Sequence, residues 1–239
     1  MAHEPAMQVI LLIVLAAGIV RGFSGFGSGM IIGPTTAALF SPITALAMIT
    51  ILDAAPALTL AWPTFRKVNW REVLPVIFGA AISLPLGIWL LKTGDPEMLR
   101  WFISASIVIA VIVLWSGWQY RGPRSAPTSL AVGSVSGFMS AAAALPGPAV
   151  LIYWLASTAR AAAVRANMIH YLLITDVLLI AGYAIGGIYT LDSVQRGLLC
   201  LPAYLRKFFV NYQYAVIWAV YYYVRHWTIF GKFRKIFVR

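Results

Sequence analysis

Few side chains able to do chemistry lie inside the apolar stretches of this sequence, and they gather in two places. The first is Arg21 followed by "GFSGFGSGMIIGP", which holds Ser24, Gly25, Gly27, Ser28, Gly29 and Pro34. The second holds Ser136, Gly137, Ser140 and Pro146, in "SGFMSAAAALP". Glycine loosens a helix and proline interrupts its hydrogen bonds, so each cluster is a place for a helix to break. At membrane depth, non-helical backbone persists only where protein buries it or a wet cavity receives it. Freed N–H groups, the positive end of a half-helix and the serine hydroxyls then suit an anion, with Arg21 as its counter-charge.

The other ionisable groups near these elements are Asp53, Arg165, His170 and Asp176. Charge in an apolar run is costly and is usually found facing a bundle interior or a polar pathway. Asp53, His170 and Asp176 are therefore the candidates for ion coupling; Arg165 reads as a loop residue. Each has a plainer reading beside the functional one. Gly18 with Gly22, and Gly25 with Gly29 and Gly33, keep the four-residue spacing that lets helices pack closely. Arg21 reads equally as an arginine snorkelling from a span end. His170 suits a packed, hydrogen-bonded role, and the aspartates suit solvated caps.

Enzymatic chemistry has less support. "GFSG" at residues 22–25 resembles the nucleophile motif of rhomboid intramembrane proteases, which would make Ser24 the nucleophile and His170 its base. That alternative leaves the second serine cluster without a purpose. A single cysteine, Cys200, excludes an intrachain disulfide and a multi-cysteine metal site. No HExxH or Walker A pattern occurs, so neither metal, nucleotide nor another cofactor is expected.

The elements that must position these residues are membrane spans. Of 239 residues, 61% are hydrophobic and only 10% charged, against roughly 25% charged in a soluble domain. Apolar runs recur near residues 8–40, 43–62, 73–91, 99–119, 128–156, 167–190 and 208–224. They predict an all-α, polytopic membrane protein of seven or eight spans with interrupted or re-entrant helices. The segment from Met7 to Val20 lacks the basic flank and cleavage pattern of a secretory signal, so it is expected to remain in the mature protein. The net charge of +11 lies mostly between the runs, where membrane orientation explains it better than nucleic acid. Arg66, Lys67 and Arg71 in one loop, and Arg121 and Arg124 in another, mark both loops as cytoplasmic.

Two runs exceed one upright crossing, since about 33 helical residues reach about 50 Å against a hydrocarbon core of about 30 Å. They also align with each other. Ser, Gly, Phe, Ser and Pro recur at identical spacing in Ser24 to Pro34 and Ser136 to Pro146, and each cluster is followed by an apolar run ending in aspartate, Asp53 or Asp176. This predicts two related halves, 1–122 and 123–205, meeting at a midplane site. Residues 206–239 differ, with seven basic, twelve aromatic and no acidic residues; they read as a last membrane segment without a functional assignment.

On "GIVRGFSGFGSGMIIGPTTAAL" (18–39) and "GSVSGFMSAAAALPGPAVLIYWLAS" (133–157), the chain resembles the TauE/SafE family of sulfite exporters and related anion transporters. The resemblance implies secondary transport of small, often sulfur-containing anions across the bacterial inner membrane. A small anion and the lipid bilayer are then the expected partners, and a homo-oligomer is compatible with the pattern. The sequence departs from the family at "AAAA" (141–144), where more glycine is usual, and after Leu205, where small-residue helices are usual.

Overall fold

The computed structural model describes residues 4–24, 27–117, 120, 122–155 and 161–212. Among them the regular structure is entirely helical. In chain order it comprises α1 (Glu4–Ser24), α2 (Ser28–Leu39), α3 (Pro42–Ala61), a 3-10 turn (Trp62–Lys67) and α4 (Trp70–Thr93). After these come α5 (Pro96–Trp115), α6 (Ala126–Ala143), α7 (Gly147–Leu155) and α8 (Ala161–Ile185). A last helix, α9, occupies residues 191–212.

Several starts follow from local chemistry. Ser41 caps α3 and Pro42 opens it, Asp95 and Pro96 do the same for α5, and Ser125 caps α6. A short polar side chain there satisfies first-turn N–H groups, and proline loses nothing where its missing N–H would be unpaired. Among the described residues, four helical segments are long and apolar enough to cross a membrane: Pro42–Lys67, Trp70–Thr93, Pro96–Trp115 and Ala162–Ile185. Their exposed faces are apolar. On α4, Leu74, Phe78, Ile82, Leu86 and Trp89 form one exposed stripe, while Val73, Val76, Ala80, Leu84 and Leu91 are buried on another face. An apolar stripe turned outward, over a buried apolar face, suits lipid on one side and protein on the other.

Close backbone contact fixes the elements that frame the interior. Carbonyl oxygens of α4, at Val76 and Ala80, stand where side chains on Gly133 and Gly137 of α6 would be. The two helices thus touch almost backbone to backbone, and α4 locates the C-terminal end of α6. A second seam joins α1 to α9: a Cβ on Gly18 would stand 2.8 Å from the Tyr204 carbonyl oxygen, and one on Gly22 2.8 Å from that of Phe208. The four-residue spacing of this glycine pair is therefore a packing device.

Both overlong runs are interrupted, though not as expected in detail. The first is interrupted at Gly27, which takes φ +93°, a left-handed conformation open to glycine. Pro34 does not close this break. It lies inside α2, and the Thr35 hydroxyl bonds the Ile31 carbonyl nearby (2.8 Å). The second run breaks after Ala143, at Ala144 with φ 54°. There the N–H of Leu145 reaches back to the Met139 carbonyl at 3.2 Å, which satisfies one of the carbonyls left free at the end of α6.

Two further expectations change. Arg165, read as a loop residue, belongs to α8, with its guanidinium 5.8 Å from the Tyr212 ring centre. Residues 191–207 fell outside every apolar run, yet they form most of α9 and bury Cys200 and Tyr204. Asp192, Arg196, Arg206 and Lys207 interrupt the hydropathy there while its inward face stays apolar. Helix α9 also runs through residue 206, where composition suggested a boundary; residues 213–239 lie outside the described ones.

Candidate functional site

The last turn of α1 carries Arg21 into the interior, where it is 5% exposed. Its Nη1 donates to Asp53 Oδ2 of α3 at 2.7 Å and to Ser28 Oγ of α2 at 3.2 Å. Asp53 is 7% exposed and surrounded by donors. The Ser28 hydroxyl lies 2.8 Å from both its oxygens, and the Tyr204 hydroxyl of α9 donates to Oδ1 at 2.6 Å. Hydrogen bonds to a charged group are worth roughly 1.5–3 kcal/mol each. Three donors on one carboxylate define the position of Asp53 and, through it, of Arg21.

Asp176 of α8 approaches from another side. Its Oδ2 is 3.9 Å from Arg21 Nη2, at ion-pair range but beyond a hydrogen bond, and has no hydrogen-bond partner. Arg21 Nε is likewise buried without an acceptor. One guanidinium thus faces two carboxylates, one fully engaged and one not.

Arg21 and Asp53 line a cleft together with Gly27, Ser28, Gly29 and Met30 from the start of α2. The opposite wall is the second break, Ala144, Leu145 and Pro146, with Gly147 and Pro148 at the start of α7, and Leu172 of α8. The empty space between these walls, its open mouth included, is about 280 Å³. Two helix N-termini therefore border one space. Gly27 brings no side chain to cap α2, so the positive end of that helix is left for another acceptor. The walls meet at Gly29, where any Cβ would collide with the Ala144 carbonyl oxygen.

Of the residues read from sequence, Arg21, Gly27, Ser28, Gly29, Asp53 and Pro146 line this cleft, and Asp176 adjoins it through Arg21. Ser24 is the last residue of α1, with its side chain outside the described part, and Gly25 lies outside the described residues altogether. Pro34 sits further along α2. Ser136 acts from behind the wall: its hydroxyl donates to the Pro146 carbonyl at 2.5 Å and accepts from Tyr171 at 2.7 Å. Ser140 donates to the Ser136 carbonyl (2.7 Å), and Gly137 serves the contact of α6 with α4.

His170 does not line the cleft. Its ring centre is 5.7 Å from those of Phe65 and Trp70, and its Nδ1 lies 2.9 Å from the Ala166 carbonyl. The protease alternative gains no support from this placement. Tyr204 was not foreseen. A tyrosine in an apolar helix is ordinary, and only the glycine seam of α1 brings it to Asp53.

A polytopic helical protein with a charged, serine-bearing centre between two interrupted helices is the class that these features define. Residues 10–206 match the family described as Sulfite exporter TauE/SafE. The chain belongs to that family of membrane transport proteins. A protein of Comamonas testosteroni, described as probable inner membrane transporter protein TsaS, is 23% identical over 163 residues. That similarity covers 65% of this chain and 66% of the relative, just under two thirds of its length. No solved structure matches the chain.

Proposed function

We propose that this protein is a secondary transporter of small anions, sulfur-containing ones such as sulfite or sulfonates, in the bacterial inner membrane. The observation that carries this reading is the buried Arg21 with an unused Nε–H, in a cleft bordered by the N-termini of α2 and α7. An anion there would meet a guanidinium and the positive ends of two helices, in surroundings where water competes weakly. The name of the family and that of the Comamonas protein point the same way.

The same reading keeps two related halves and seven or eight spans. Its support is that both overlong runs are interrupted, that the interruptions touch at Gly29 and Ala144, and that the aspartates following each cluster both approach Arg21. Transporters built from repeats carry substrate where broken helices meet.

The test is flux of sulfite, methanesulfonate and thiosulfate into proteoliposomes, with and without a pH gradient. At least one of these anions should be carried, and Arg21→Ala should reduce its flux by about tenfold or more, the loss of a buried charge-assisted contact of some 1.5–3 kcal/mol. Absence of flux for all three, with Arg21→Ala indistinguishable from the parent, removes the proposal.

A further inference from the structure

We infer that Asp176 is the proton-carrying group of this transporter and that the protein moves one proton together with each monovalent anion. This rests on the anion-transport reading above and adds to it the coupling ion, the residue that holds it and the stoichiometry.

Arg21, Asp53 and Asp176 are 5%, 7% and 5% exposed. With all three ionised the centre holds one uncompensated negative charge in an apolar interior, where a bound anion would add a second. Three negative charges against one guanidinium at this depth are costly. A proton on one carboxylate relieves the excess and lets the anion take its place.

Geometry selects the carboxylate. Asp53 accepts from Arg21, Ser28 and Tyr204, so a proton on either of its oxygens would displace a hydrogen bond. Asp176 Oδ2 is buried, has no hydrogen-bond partner and stops 3.9 Å from Arg21 Nη2. Its proton therefore displaces no hydrogen bond at that oxygen. His170, the remaining candidate, lies against Phe65 and Trp70 and does not line the cleft.

Few other ionisable groups bear on Asp176. Arg21 approaches it from α1 and Asp53 from α3, with Tyr204 of α9 bonded to Asp53. Tyr171 precedes it on α8, and Tyr189 follows α8. The charged residues of α4 are Arg71, Glu72 and Lys92, all near its ends, and those of the 3-10 turn are Arg66 and Lys67. The α6 sequence has none, and Tyr153 of α7 is bonded to Ser129.

In the cycle, the Asp176 carboxylate takes a proton from water on one side and becomes a neutral acid. The anion enters beside Arg21, both are released on the other side, and the acid returns its proton to water. Nothing is oxidised or reduced. One proton and one monoanion cross together, so the pH gradient sets the direction, with entry when the outside is more acidic.

Methanesulfonate is the probe, because it stays a monoanion across the working pH range and any proton that moves belongs to the protein. The full-length protein is reconstituted with a trapped pH dye, and proton entry and labelled methanesulfonate uptake are measured together; another alkanesulfonate monoanion serves if it is the anion carried. About one proton per methanesulfonate is expected, with uptake rising as the outer pH falls. Asp176→Asn, which imitates the protonated acid, should keep methanesulfonate exchange and lose both proton entry and pH dependence. Asp176→Glu should restore them.

Anion uptake without proton entry in the parent protein overturns the inference whatever the variants do, and leaves the anion-transport reading standing. Full proton entry in Asp176→Asn overturns it too. So does a folded Asp176→Asn that has lost exchange, because Asp176 would then hold the site together rather than the proton. If the parent carries no anion at all, the transport reading itself has failed.

Discussion

Arg21 can be buried because Asp53 meets it at 2.7 Å, and Asp53 in turn is held by Ser28 and Tyr204. Breaking such a pair from one side leaves the other charge alone in the interior. Asp53→Asn should therefore destabilise the protein by about 3–5 kcal/mol, seen as a large fall in the melting temperature of the detergent-solubilised chain. Tyr204→Phe removes one donor and leaves the ion pair, so a smaller loss of about 1–3 kcal/mol is expected. Equal effects from the two substitutions would mean that the Arg21–Asp53 pair is not what holds this centre. The residue types were open to reading from the sequence because charge is so rare in its apolar runs. Their roles were not: Ser28 proves to be a donor to Asp53, and Ser136 a brace on Pro146.

At the scale of elements, the glycines of the first cluster predicted the break that Gly27 makes, whereas Pro34 misled. Pro34 is accommodated within α2, while the second break falls inside the second cluster, from Ala144 to Pro146, beyond Ser136 and Ser140, which lie within α6. Close contact of α6 with α4 along Gly133 and Gly137 keeps α6 helical past its serines, and such a tertiary constraint leaves no local mark. Glycines in α2 can also be told apart. Gly29→Ala forces a methyl group into the Ala144 carbonyl and should cost about 1–3 kcal/mol as well as flux. At Gly33 a Cβ would meet only Ile103 at 3.7 Å and Ile49 at 3.9 Å, ordinary contacts. Gly33→Ala should thus be neutral or stabilising by about 0.5–1 kcal/mol, the usual gain of alanine over glycine within a helix. Melting temperatures of the two variants, measured side by side, check this contrast.

For the whole molecule, composition alone pointed to helices in a membrane, since 10% charged residues cannot cover a soluble surface. The apolar stripes on α4 and α5 agree, with Trp89, Trp101 and Trp115 among the most exposed side chains. Less evident was α9, whose basic residues hide an inward face that carries Tyr204 to the centre. Anion transport by this route requires a cleft between the two breaks that is wet and receives anions. Met30 lines it from the first turns of α2, and the native thiol, Cys200, is buried. A Met30→Cys variant in the Cys200→Ala background should react with a small anionic thiol reagent, react more slowly when methanesulfonate or sulfite is present, and lose transport once modified. A thiol at residue 30 that stays unreactive, or that reacts while anion flux continues at its full rate, would contradict the account.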